Sequence, residues 1–187
     1  MRSMLDNPWR ASMLGGALAM VVLALTGGGA VETSTAVGMA MRVPHVLAAM
    51  VWAGLIVFVN FVQLAALKAV SDAERPLIVR HIAAPAARLF TAAAHATLVT
   101  GAIMLVPLGA AVHHRIVLLL AVAGGIAMWV IVQFVLGPNI ARITGKMAAS
   151  EAEKAAARVA VATWARINLV LVVPVSVAML VAAHAGM

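Results

Sequence analysis

Long apolar runs alternate with short polar segments along this chain. A bilayer span takes about 20 mostly apolar residues. Five runs meet that length, at about 12–29, 43–67, 83–106, 116–136 and 164–185. The first is short and ends in Gly27-Gly28-Gly29. It also reads as a secretory leader, because Arg2 and Arg10 precede an apolar centre with small residues near Ala30. Pro107 stops the third run and Gly137-Pro138 stops the fourth. Ahead of the last run, Ser150 followed three residues later by Glu153 has the spacing of a capping box. That spacing predicts a helical extension over about 150–163 that continues into the last span. The expected architecture is an all-α membrane bundle of five transmembrane helices, in a single domain over 1–187.

The polar segments carry the orientation. Arg2 and Arg10 precede the first run. Lys68, Arg75, Arg80 and Arg88 follow the second, and Arg142, Lys146, Lys154, Arg158 and Arg166 separate the fourth from the fifth. With alternating spans all of these fall on one side, and only Arg42 and Arg115 fall on the other. The positive-inside rule then predicts a cytoplasmic N-terminus and a C-terminus outside. It predicts a multi-pass membrane protein.

Composition agrees. Hydrophobic residues make up 65% of the 187 positions and charged residues 10%. Soluble domains average about 45–50% and about 25%. The net charge of +7 is accounted for by the topology, so it gives no reason to expect nucleic acid. Cysteine is absent, which excludes a disulfide framework, thiolate metal sites and a cysteine nucleophile. No glycine loop suited to phosphate and no nucleophile–base set is present. The six carboxylates fall outside the spans, against a proton-relay pump. The chemistry expected is electron transfer or an accessory role rather than that of a stand-alone enzyme.

Histidines are the candidate chemistry. His45 and His184 each lie about one turn below the outer end of a span, roughly 10–15 Å from the midplane. Two imidazoles at one depth on different helices can ligate a haem iron from both sides. At about 100° per residue, Trp52, Asn60 and Gln63 fall on the stripe of His45, with Ala49 beside it. This stripe is the expected cofactor wall. His95 lies mid-span on a face shared with Arg88 and Thr91 and keeps a second haem open. His113 and His114 sit at the outer face as an interfacial pair, and His81 reads as a loop residue. A competing reading is copper, held by Met39, Met41, His45, His113, His114, His184 and Met187 near the outer face, since thioether and imidazole suit it.

The stretch HVLAAMVWAGLIVFVNFVQ, His45 to Gln63, resembles the histidine–tryptophan–glycine helix of the membrane domain of urate hydroxylase, the cytochrome-c-linked urate oxidase. Further matches are Ala83-Ala84-Pro85, Thr100-Gly101, Gly137-Pro138-Asn139 and the last helix, Ala165 to His184. The resemblance covers about residues 40–185. The same helix is more distantly similar to copper-resistance D proteins and membrane protoporphyrinogen oxidases. The resemblance implies a haem b membrane protein with His45 and His184 at the family's histidine positions; His95 lies off them. No CxxCH is present, so no covalent haem domain is attached. The reading is a membrane cytochrome b relaying electrons near the outer face. Its partners are the bilayer and a membrane or periplasmic redox protein, or further copies of itself. A non-redox accessory subunit of a larger membrane enzyme is the alternative.

Overall fold

The computed structural model describes residues 7–26, 33–108 and 115–184, apart from the side chains of 19–20, 23–26, 33–39, 106–108 and 184. Helices account for nearly all of the described residues, and none is in a strand. In order they are α1 (Pro8–Thr26), α2 (Thr33–Phe58), α3 (Leu64–Ala69), α4 (Arg75–Ile78), α5 (Ala84–Leu108), α6 (Arg115–Val130), α7 (Gly137–Ile143) and α8 (Glu151–His184). Gly27 to Gly29, His113 and His114 lie outside the described residues.

The chain forms two compact units, Met1–Val37 and Gly38–Met187. In the first, Asn7 caps α1 by accepting the Trp9 N–H on its side-chain oxygen at 2.9 Å. Pro8 then opens the helix, where its missing N–H costs nothing. Trp9, Met13 and Leu18 are exposed.

In the second unit, three turns are widened so that an N–H bonds five residues back. They are Val59–Gln63, Val79–Ala83 and Ile131–Leu136. They join the short helices into long rods. Among the described residues, four rods are long and apolar enough to cross a membrane: Ala40–Ala69, Arg75–Leu105, Arg115–Ile143 and Glu151–Ala183. The chain is thus an all-helical protein of multi-pass membrane type.

One of these turns corrects an expectation about proline. Gly137-Pro138 does not end the third rod, which continues to Ile143. A helical proline clashes with the carbonyl four residues back. A widened turn comes directly before a proline region twice, at Val79–Ala83 ahead of Pro85 and at Ile131–Leu136 ahead of Pro138. It moves that carbonyl out of the way. The Asn139 amide then donates to the freed region at the Val135 carbonyl, at 2.8 Å. Pro107 lies within α5, one residue from its end. His81 is correspondingly not in a loop: it is an exposed residue of the turn Val79–Ala83, because Pro76 starts a helix early. The third rod ends instead at Gly145, whose φ of 75° is a left-handed conformation that glycine adopts without strain.

The capping box forms as its spacing predicts. Glu153 accepts from the Ser150 N–H at 2.7 Å and its hydroxyl at 2.8 Å, and the Ser150 oxygen accepts from the Glu153 N–H at 3.3 Å. From there α8 runs unbroken for 34 residues, through Pro174.

Side chains fix the packing. His45 and Trp52 of α2 meet Thr97 and Phe90 of α5, so these rods are antiparallel. Gly124 of α6 lies against Val175 of α8 so closely that no Cβ fits there, and α7 continues along the early part of α8. The shared core is Trp52, Ile56, Phe90, Met128, Val132 and Val172, with small residues such as Ala93 and Ala94. Outward faces carry exposed Leu47, Met50, Leu119, Leu120, Phe134 and Val170. Water cannot solvate so much contiguous apolar surface cheaply; lipid can. The end of the bundle with α3, α4, the end of α7 and the start of α8 also carries Lys68, Arg75, Arg80, Arg142, Lys146, Lys154 and Arg158.

Candidate functional site

The site begins with one histidine. His45 is half-buried and aims its ring at α5. Its Nδ1 lies 2.9 Å from the Thr97 carbonyl and 3.1 Å from the Thr100 hydroxyl. A carbonyl oxygen only accepts, so Nδ1 carries the proton. The Thr100 hydroxyl gives its own proton to the Ala96 carbonyl, leaving its oxygen free to accept from His45 as well. This polarity leaves Nε2 unprotonated, with its lone pair available and no hydrogen-bond partner among the described residues. Metal-ligating histidines commonly use an Nδ1–H to carbonyl bond in this way.

Gly101 makes room for the ring. A Cβ built there would stand 2.9 Å from His45 Cε1 and 3.3 Å from Nδ1. In the Thr100-Gly101 pair, the threonine therefore orients the imidazole and the glycine clears its path. Thr97, Thr100 and Gly101 are the residues that sequence reasoning left without a role. The signal was a threonine–glycine pair in an apolar span, facing a histidine on the neighbouring helix.

The predicted stripe of α2 points inward. Trp52 is buried, with its ring edge-on to Phe90 at 6.5 Å between centroids. Gln63 is buried, and Ala49 and Asn60 are half-buried. Asn60 donates to the Ile56 carbonyl at 2.9 Å and, across the bundle, to the Ala165 carbonyl of α8 at 3.1 Å. Asn60 and Gln63 both belong to the widened turn Val59–Gln63. No proline directly follows this turn.

The stripe is left with unmet hydrogen-bonding atoms. Trp52 Nε1, Asn60 Oδ1 and Gln63 Oε1 are buried without partners, as are Trp129 Nε1 and both polar atoms of Asn168. Such atoms are uncommon in folded proteins.

The second-tier residues separate. His95 is exposed; its Nδ1 donates to the Thr91 carbonyl at 2.8 Å, the Gln133 amide lies 3.4 Å away, and the ring stands edge-on to Trp129. Arg88 is exposed on α5, and Met41 is half-buried on α2. His184 is the last residue of α8, and its side chain lies outside the described residues, as do His113, His114 and Met187. Among the described residues no three histidines or carboxylates converge as a metal-holding group.

No family model matches this chain, and neither a curated protein nor a solved structure matches it. The reading of the site therefore rests on its own chemistry.

Proposed function

We propose that this chain is a haem b-binding membrane protein that relays electrons near the non-basic end of the bundle, within a bacterial inner membrane. The observation that carries this reading is the His45 ring: its Nδ1–H is anchored to the Thr97 carbonyl, its Nε2 is free, and Gly101 leaves it room. The residues present fit an axial ligand on that side. A haem bound there supplies a one-electron iron couple, with its potential set by the axial ligands. His45 would hold the iron through Nε2, while Thr97 and Thr100 keep the ring oriented. Trp52 and Ala49 would border the macrocycle, and the buried α2 stripe keeps bulk water from it.

His184 is the proposed opposite ligand. Counting along the two antiparallel rods from the Asn60–Ala165 bond brings residue 180 level with His45, with His184 about 6 Å further on. The basic end faces the cytoplasm by the positive-inside rule, which puts His45 toward the outside. A periplasmic or membrane redox protein is then the natural partner.

A second reading has its own observation. His95 and Arg88 are exposed on a rod that lipid would otherwise surround, and ionisable groups in a span usually face protein rather than lipid. This favours an accessory subunit that docks a larger membrane enzyme through α5. Copper is left as an outcome of metal analysis.

The test is a reduced-minus-oxidised spectrum with a pyridine haemochrome assay on protein purified in mild detergent. A b-type signal that disappears in His45→Ala and persists in His81→Ala is expected. A preparation that stays colourless after haem is added would overturn the proposal.

A further inference from the structure

Away from His45, the contact between α8 and the widened turn Val59–Gln63 holds polar atoms that no protein group satisfies. Asn168 is fully buried, and neither its side-chain oxygen nor its nitrogen has a partner. Asn60 reaches α8 one turn earlier, at the Ala165 carbonyl. A helical carbonyl points toward the residues that follow it, while a helical side chain leans back toward those before it. The Asn168 amide and the Asn60 amide therefore occupy the same neighbourhood. Asn60 uses its nitrogen twice, on Ile56 and Ala165, and its buried Oδ1 is left over. Gln63, three residues on in the same widened turn and itself buried, adds an unmet Oε1.

The unmet set is three amide oxygens and one amide NH₂, with no charged group among them. A bare cation suits the oxygens but is repelled by the NH₂. An anion suits the NH₂ and is repelled by the oxygens. A neutral molecule that both donates and accepts suits all four, and water is the smallest. Buried waters characteristically satisfy two to four such atoms. The widened turn at Val59–Gln63 supplies the extra space, and no proline directly follows it to account for the widening otherwise.

We infer that an internal hydration site lies between α8 and the widened turn Val59–Gln63, bounded by Asn60, Gln63 and Asn168, and that ordered water completes the contact between them. This site is independent of the haem reading: it needs neither His45 nor a cofactor.

Nuclear magnetic resonance of the full chain in detergent micelles, with ¹⁵N-asparagine labelling, tests it. The expected result is a cross-relaxation peak between water and the Asn168 side-chain NH₂ protons, of the sign of long-lived bound water. The peak is assigned by its loss in Asn168→Leu. If that variant does not fold, Asn168→Ser, which keeps a donor and an acceptor, makes the assignment. Absence of the water peak, with the Asn168 signals resolved, overturns the site. So does a shift of those signals on titration with sodium, potassium or chloride, which would make the occupant an ion.

Discussion

The two sides of α8 are built on opposite principles. Toward α6 it packs closely: Gly124 lies under Val175, and Met128, Val132 and Val172 fill the core. Toward α2's rod it meets amides: Asn60 bonds the Ala165 carbonyl, and Asn168 and Gln63 are buried with unmet atoms. In a bilayer, helices gain little from hiding apolar surface, because lipid is as apolar as leucine. They associate through close packing or through interhelical hydrogen bonds. The α6–α8 seam uses the first and the contact of α8 with α2's rod the second. Packing of the first kind is intolerant of added atoms. The second tolerates changes of size but depends on particular polar groups.

The largest effect that follows is steric. Gly124→Ala puts a methyl group into Val175, whose branched side chain is stiff. Overpacking of this kind costs about 1–3 kcal/mol. Gly125→Ala is the control, since nothing lies within 4 Å of its Cβ position. Thermal unfolding in detergent should show G124A melting well below G125A, and Val175→Ala should restore it. Equal melting temperatures would mean that the seam yields, and the contrast between the two sides would fail.

The seam and the polar wall were unequally legible beforehand. The presence of four apolar rods in the second unit followed from hydropathy, because desolvating a helix in lipid demands long apolar runs. The capping box at Ser150 and the inward stripe His45–Trp52–Asn60–Gln63 followed from spacing alone. Pro138 misled, because a proline ends a helix only when no widened turn accommodates it. Gly124 and Gly125 could not be told apart in the sequence. What distinguishes them is a side chain on another helix.

A smaller effect is expected at Gly101, where the polar wall continues onto α5. Gly101→Ala presses on the His45 ring and weakens its bond to the Thr97 carbonyl. The stability cost should be about 1 kcal/mol, the typical net worth of one hydrogen bond. The informative readout is haem content per chain, which should fall in G101A and not in Gly54→Ala, whose Cβ position is open. Equal haem content in the two variants would detach Gly101 from ligand placement.

Smaller again is Asn60→Ala, which removes the direct hydrogen bond between the turn Val59–Gln63 and α8. Interhelical hydrogen bonds in membranes average about 0.6 kcal/mol, so N60A should melt only slightly below the parent and above G124A. A loss as large as that of G124A would show that the polar side is as exacting as the close-packed seam, and the two principles would merge into one.

The smallest effect lies where α2's rod is tethered to the next. In the turn between α3 and α4, the Glu74 carboxylate accepts from the Ser71 hydroxyl at 2.6 Å and the Ser71 N–H at 3.0 Å, and Arg75 pairs with Asp72. The Ser71 hydroxyl, and then its N–H, hold the Glu74 pKa below the ordinary carboxylate value. A carboxylate with a depressed pKa adds stability above its unfolded pKa, about 4.3, and loses that contribution as pH falls through the lower folded value. The group is fully exposed, so the gain is local and screened by salt. A ¹³C titration of the Glu74 carboxyl should show a midpoint below the ordinary value, moving upward in Ser71→Ala. Neither change should alter the α6–α8 seam, because the turn restrains only the end of α2's rod. An ordinary Glu74 midpoint in the parent chain would leave the tether to backbone bonds alone, and the polar attachment of α2 would then rest wholly on Asn60 and His45.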